Sequence, residues 1–127
     1  MTLPAAIEAQ IEAAVCDLFI RAGWYPVKTD AAQITRGAGR GRVQRGTIET
    51  GFPDRLFLLG LPGSALGLVA LVELKTATGR TRDSQIQKHD ELRHLYGLQP
   101  QIIRDARQAE FLIREGLRLK VMLKVQE

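Results

Sequence analysis

The sequence has few of the cysteine and histidine residues that form disulfides or structural metal sites in small proteins. Its single cysteine, Cys16, excludes an internal disulfide, and with two histidines a structural zinc site is not expected. No apolar run approaches the roughly 18 residues of a membrane-spanning helix. Glu8 and Glu12 interrupt the amino-terminal segment, which argues against a secretory signal. These absences predict a cytoplasmic protein with no membrane partner.

What the chain does have is enough apolar sequence for one core. Its 127 residues are 45% hydrophobic and 25% charged, which predicts a single domain over residues 1–127. The net charge is +4, and much of the surplus is arginine in two glycine-containing stretches. Guanidinium groups match phosphate oxygens, so these stretches predict nucleic-acid contacts, although a basic solubilising surface explains the charge equally well. The arginines concerned are Arg36, Arg40, Arg42, Arg45, Arg80 and Arg82.

Hydrophobic periodicity predicts an α/β fold with a central mixed sheet flanked by helices. Residues 36–47 are rich in glycine and arginine and predict a mobile loop. Asp105 and Gln108 have the spacing of a capping box. The predicted elements are a helix over 4–22, a strand over 24–28 that residues 31–35 extend, hairpin strands over 55–61 and 66–75, a helix from Asp83 or Ser84 to Tyr96, a strand over 98–104, a helix from Asp105 to Gly116, and a strand over 117–125.

The hairpin brings three charged residues together. The midpoint between Asp54 and Glu73 falls in the predicted turn at 62–65, so a regular antiparallel register sets them opposite each other, with Cβ atoms about 5 Å apart. Lys75 follows Glu73 by two residues and points to the same face. Facing carboxylates repel, and Mg²⁺, which prefers oxygen ligands, relieves that repulsion. A surface cluster neutralised by Lys75 explains the same spacing.

A family resemblance favours the metal site. Gly51-Phe52-Pro53-Asp54, then Glu73-Leu74-Lys75, Gly79 and Gln85, resembles the PD-(D/E)XK nuclease superfamily and, within it, the VRR-Nuc (virus-type replication-repair nuclease) family. The resemblance covers roughly residues 7–114. It implies a restriction-endonuclease-like core and a deoxyribonuclease that requires Mg²⁺ or Mn²⁺.

The same resemblance implies a role for each matching residue. Asp54 and Glu73 would be metal ligands, Lys75 would position the attacking water, and Gln85 would support the site or contact the scissile strand. Glu8 matches the family's further helix carboxylate, as a ligand and catalytic group, and Glu12 is the rival assignment. Two positions depart from the family pattern: Arg55 directly follows Asp54, and Arg82 stands where Ser or Thr usually caps the next helix.

The resemblance also implies a substrate. Stand-alone members of the family are short homodimers that act on branched DNA, similar to Holliday-junction resolvases, in a bacterial, phage or prophage host. The glycine- and arginine-rich loop would then contact phosphates without reading sequence. The alternatives are an exonuclease or flap nuclease, and a DNA-binding module without catalysis. His89 and His94, five positions apart on one helix, are predicted to be surface residues.

Overall fold

The computed structural model describes residues 4–29 and 48–124. Within these ranges the chain forms a small α/β domain with three helices and four strands, which confirms the predicted α/β class, while the restriction-endonuclease-like core stays a prediction. None of the described helices is long and apolar enough to cross a membrane. The elements are α1 (Pro4–Arg21), β1 (Tyr25–Lys28), β2 (Arg55–Gly60), β3 (Gly67–Leu74), α2 (Asp83–Tyr96), β4 (Gln101–Ile103) and α3 (Ala106–Met122).

The four strands form one mixed sheet in the order β1-β2-β3-β4. The first three are an antiparallel meander, whereas β4 lies parallel to β3 and is reached through α2. In the β2–β3 hairpin Arg55 pairs with Val72 and Gly60 pairs with Gly67. Continuing this register by one step sets Asp54 opposite Glu73, as predicted from the position of the turn midway between them.

The two faces of the sheet bury different kinds of side chain. Phe57, Val72 and Leu74 belong to the apolar core with Val15 and Phe19 of α1. The Phe19 and Phe57 rings stack with centroids 4.0 Å apart. Because side chains alternate along a strand, Glu73 lies on the opposite face, beneath α2. The hydrophobic core therefore occupies one side of β3, and the candidate site occupies the other.

The carboxyl-terminal prediction was wrong. Gly116 does not end the last helix, and residues 117–122 continue α3 instead of forming a strand. Leucine and valine at every second position from Leu117 imitate a strand, but Leu117 and Val121 are exposed. The buried positions Ala109 and Gly116 are seven apart, which is a helical period. Gly116 is required for packing, since a Cβ atom there would collide with the Trp24 ring.

Gly116→Ala is therefore expected to destabilise the protein, although alanine is the better helix former. The added methyl group must displace the Trp24 ring, and overpacking of this kind costs about 1–3 kcal/mol. Urea denaturation followed by Trp24 fluorescence measures the change. Leu117→Ala, at an exposed position on the same helix, is the matched control and should change stability by less than about 0.5 kcal/mol. A Gly116→Ala protein as stable as the wild type would refute the close packing.

The other boundaries differ only slightly from prediction. The predicted N-cap of the second helix was Asp83 or Ser84. The structure has Arg82 as the N-cap, and the helix begins at Asp83. The predicted strand over 98–104 is limited to Gln101–Ile103, directly after Pro100, whose missing N–H cannot join the ladder. The capping box of Asp105 and Gln108 is confirmed. The predictions for residues 31–35 and for the loop 36–47 lie outside the described residues.

Candidate functional site

Asp54 is held at the end of a tightly anchored loop. Gly51 has a positive φ of 87°, and a Cβ atom there would collide with the backbone of Ser84 at the start of α2. After it, the Pro53 carbonyl accepts a hydrogen bond from the Thr29 hydroxyl at 2.8 Å, and the Asp54 carbonyl accepts one from the Thr29 N–H at 3.0 Å. The Gly-x-Pro-Asp sequence thus fixes Asp54 between the end of β1 and the start of α2.

A buried cation ties the same loop to α2. The Lys88 ammonium donates a hydrogen bond to Glu49 at 2.7 Å and another to Glu91 one turn along the helix. Lys88 is almost completely buried, whereas Glu49 is exposed. The pair therefore closes the edge of the contact between the loop and α2.

The Asp54 side chain reaches across to β3. Its Oδ2 atom accepts a hydrogen bond from the Leu74 N–H at 3.1 Å, which brings the carboxylate next to Glu73. On the following residue, the Lys75 N–H donates to the Ile103 carbonyl at 3.1 Å and so continues the pairing of β3 with β4. Asp54, Glu73 and Lys75 consequently meet at one end of the hairpin, on the face beneath α2.

Glu73 is a buried carboxyl group without a hydrogen-bond donor. Its side chain is 1% exposed, and no described N–H or O–H group donates to either of its oxygens. Burial and, after it, the neighbouring Asp54 raise the pKa of Glu73 from 4.5 to about 9, while the charges of Lys75 and Arg82 act in the opposite direction. Buried polar atoms in native proteins nearly always have partners. Glu73 is therefore an unusual buried polar group within the described residues, next to Asp54.

Gln85 is buried and supports the start of α2. Its Oε1 atom accepts a hydrogen bond from the Arg82 N–H at 2.9 Å, so the glutamine supplies the cap that residue 82 cannot. This explains how Arg82 is tolerated where the family usually has Ser or Thr. The side chain of Gln85 acts on the helix that covers Glu73, which agrees with a supporting role.

Sequence reasoning missed Arg104, which fixes the loop after Lys75. Its guanidinium donates to the Thr76 carbonyl at 2.6 Å and to the Gly79 carbonyl at 2.7 Å. The loop between β3 and α2 is thus held against the end of β4, and Arg80 follows directly. Nothing in the sequence around Arg104 distinguishes it from a surface arginine, because the two carbonyl groups become its neighbours only through the parallel pairing of β3 with β4.

The surface prediction for His89 was wrong. His89 is 2% exposed, and its Nε2 atom lies 3.5 Å from Glu73 Oε1. Burial, more than the nearby charge of Arg93, lowers the pKa of His89, so the ring is neutral at pH 7. The spacing from Gln85, four residues earlier on the same helix face, could have revealed this position. His94 is exposed, as predicted.

The acidic residues of α1 do not join this site. Glu12 forms an ion pair with Arg55, whose side chain is 15% exposed and lies on the opposite face of the sheet from Asp54. The departure at Arg55 is thereby explained. Glu8, one turn earlier, is exposed, and it forms no metal-binding group with Asp54 and Glu73 among the described residues. Its assignment as a ligand stays a prediction.

Across residues 4–29 and 48–124, no group of three or more His, Cys, Asp or Glu side chains is arranged to hold a metal ion. The structure brings together Asp54, Glu73, Lys75 and His89, and Gln85 lies at the start of the helix that carries His89. Arg80 and Arg82 are exposed close to this group. The remaining predicted DNA contacts lie outside the described residues and are Arg36, Arg40, Arg42 and Arg45.

Comparison with known protein families and curated proteins found no match: no family model matches the chain, and no curated protein matches its sequence. A functional assignment therefore depends on the buried Glu73, the half-buried Asp54 opposite it and the residues that hold them.

Proposed function

We propose that this protein is a metal-dependent deoxyribonuclease that hydrolyses phosphodiester bonds in branched DNA. The observation that carries the proposal is Glu73, a buried carboxyl group with no hydrogen-bond donor, set opposite Asp54. Evolution rarely retains such a group for stability, because an unpartnered polar group costs about 1–3 kcal/mol. Binding of a cation by both carboxylates would explain why the buried Glu73 carboxyl is retained.

The residues present fit Mg²⁺ or Mn²⁺. Both ions prefer carboxylate oxygens, and Mg²⁺ is commonly held by only one or two carboxylates, with waters and phosphate oxygens completing its shell. Asp54 and Glu73 would hold the ion, so the absence of a third clustered ligand in the described residues is compatible with this mode of binding. When bound, the ion would activate water and stabilise charge on the phosphate.

The other residues of the site supply positioning and charge. The Lys75 ammonium lies on the same strand face as Glu73 and donates hydrogen bonds, so it orients the attacking water or a phosphate oxygen. Gln85 holds the first turn of α2 over Glu73, and Arg104 holds the loop that leads to Arg80. The exposed guanidinium groups of Arg80 and Arg82 bind phosphates on either side of the scissile bond.

A homodimer follows from the proposed substrate. A four-way junction has two related strands to cut, and a two-fold dimer supplies two related sites. Exposed apolar side chains on α3, at Leu117, Val121 and Met122, support association with a second copy. These three residues belong to the part of α3 that the sequence predicted to be a strand.

A second candidate is a DNA-binding module without catalysis. The observation that favours it is that Glu8 forms no metal-binding group with Asp54 and Glu73 among the described residues. If the family's further carboxylate is needed for cutting and Glu8 does not supply it, the arginines would still bind phosphates. Such binding would weaken steeply with salt.

The test incubates the purified protein with a labelled four-way junction, a duplex with a single-stranded flap, a matched linear duplex and a single strand, each with Mg²⁺, Mn²⁺ or EDTA. We expect paired symmetric nicks in the junction that require the metal. Asp54→Asn should lower the cutting rate by at least about 10³-fold, because it removes one of two charged ligands, while DNA binding changes little. Glu110→Gln, at an exposed carboxylate on α3, is the matched control and should retain activity.

Each other result points to a different function. A ladder of products from DNA ends would identify an exonuclease, and cleavage restricted to a single-stranded branch would identify a flap nuclease. Tight, salt-sensitive binding without cutting under either metal would support the non-catalytic module. Full activity of Asp54→Asn would refute the site itself.

A further inference from the structure

His89 and Glu73 form a buried pair that apolar packing does not require. Both side chains are nearly inaccessible, and the unpartnered atoms of each, Nε2 of His89 and the two oxygens of Glu73, lie on the same side of α2. Three residues along the helix, Leu92 fills the adjacent buried position without any polar atom. Because an unpartnered buried donor or acceptor costs about 1–3 kcal/mol, a leucine at position 89 would be the cheaper filler.

We propose that His89 is a positioning residue, which holds the Glu73 carboxylate in the orientation for metal binding through a hydrogen bond from Nε2–H. The inference rests on the proposed metal-dependent function. In the described structure the two atoms are 3.5 Å apart. A rotation of the carboxyl group that moves Oε1 by about 0.5 Å brings them within the 2.7–3.2 Å range of an N–H···O hydrogen bond.

The electrostatics of the pair are consistent with this role. A neutral imidazole ring carries one N–H group. A carboxylate facing Nε2 favours the tautomer with the proton on that nitrogen. An ionised Glu73 would accept this hydrogen bond, and a carboxylate held in this way would lose less rotational freedom on binding a metal.

His89 acts through Glu73 rather than as a further ligand. Its Nε2 atom points at a carboxylate oxygen, and the described part of the chain contains no arrangement of three metal-binding side chains. Hydrogen bonds to ligating carboxylates and histidines commonly change metal affinity by about 10–100-fold. His89 is also not one of the five residues that the family resemblance assigned to the site.

The experiment measures Mn²⁺ binding by the full chain with electron paramagnetic resonance, using the free ion as the signal. The variants are His89→Gln, His89→Asn and His89→Leu. Glutamine places an amide N–H near the position of Nε2, whereas asparagine ends about where Nδ1 lies and leucine has no donor. We expect His89→Asn and His89→Leu to weaken Mn²⁺ binding by about 10–100-fold, and His89→Gln to restore it to within a few fold.

A kinetic readout accompanies the binding measurement. With the junction substrate at saturating Mn²⁺, the two weakened variants should lose kcat while KM for DNA stays unchanged, because His89 contacts neither phosphate nor base. Circular dichroism melting verifies that each variant folds. Leucine is a strong helix former of suitable size, so at least this variant is expected to be folded.

The outcomes separate this inference from the proposed function. Equal Mn²⁺ affinity in all folded His89 variants, together with its loss in Glu73→Gln, would overturn the role of His89 and leave the metal site intact. If the wild type itself binds no Mn²⁺, or if Glu73→Gln binds it as well as the wild type, the proposed site fails and the inference fails with it. Recovery by glutamine alone supports the hydrogen bond.

Discussion

Replacing Glu73 with glutamine is expected to stabilise the metal-free protein and to abolish metal-dependent cutting in the same variant. At pH 8 the unfolded chain carries an ionised Glu73, whereas the folded chain must take up a proton, because burial raises the pKa of this carboxyl to about 9. A neutral amide of the same shape avoids that cost. The same amide cannot replace a charged metal ligand, so the activity is lost.

Urea denaturation at pH 8 in EDTA measures the first effect. We expect the free energy of unfolding of Glu73→Gln to exceed that of the wild type by about 1–3 kcal/mol, on the order of what replacement of a buried charged group yields. Nicking of the four-way junction in Mg²⁺ measures the second effect. Loss of a ligand that stabilises the transition state by several kcal/mol corresponds to a decrease of about 10³-fold or more.

Glu110→Gln is the matched control, since Glu110 is an exposed carboxyl on α3. Its stability should change by less than about 0.5 kcal/mol, and its activity should not change. A Glu73→Gln protein that is both less stable and fully active would contradict the proposal on both counts, because Glu73 would then be a structural group without a role in catalysis. Gain of stability with retained activity would also refute its role as a ligand.

The hairpin shows what sequence arithmetic can predict. A turn at residues 62–65 between two apolar strands determines the register, and the register sets Asp54 opposite Glu73. This prediction needs only local information, because each residue of a tight hairpin pairs with a residue at a known separation. The capping box at Asp105 is predictable for the same reason. The proximity of the two carboxyl groups was therefore accessible from the sequence alone.

The errors occur where a distant partner decides the structure. Gly116 resembles a helix stop in the sequence, and only the Trp24 ring, 92 positions earlier, explains why a glycine is needed inside α3. His89 resembles a surface residue until α2 is laid across β3, where the ring meets Glu73. From the sequence, Gly116 could be a helix stop or a close-packing position, and His89 could be exposed or buried. Tertiary packing selects between these explanations.

The site also shows why a motif needs its surroundings. The sequence suggested two acidic candidates on the first helix, Glu8 as the better match and Glu12 as its rival. The structure gives Glu12 a partner, Arg55, on the core face of the sheet. Arg55 is one of the two residues that depart from the family pattern, so this ion pair gives it a structural role. The register of the strand thus argues against Glu12, whereas the assignment of Glu8 stays a prediction.

In the absence of metal, the stability of the protein is expected to fall as the pH rises from about 6.5 to 9. Glu73 has a folded-state pKa of about 9 against 4.5 in the unfolded chain, so over this interval the folded state holds a proton that the unfolded state has released. Stability is then lost at up to about 1.4 kcal/mol per pH unit. His89, whose pKa burial lowers, contributes with the opposite sign, but only below its ordinary value of 6.5.

A bound cation should remove this dependence. It competes with the proton for Glu73, so metal affinity rises with pH and offsets the loss. At a metal concentration of 100 Kd the added stability is about 2.7 kcal/mol. Thermal melting between pH 6.5 and 9, in EDTA and in Mn²⁺, is the measurement. We expect Tm to fall with pH in EDTA and to stay level or rise in Mn²⁺.

Glu73→Gln identifies the group responsible, because this variant has neither the proton nor the metal ligand. Its Tm should change little with pH over this interval and should be the same in EDTA and in Mn²⁺. A wild-type protein with identical slopes in both conditions would mean that no cation reaches Glu73. A slope that persists in Glu73→Gln would assign the titration to another residue. Because the proton and the metal occupy the same carboxyl group, the two slopes of the wild type must differ if the site is a metal site.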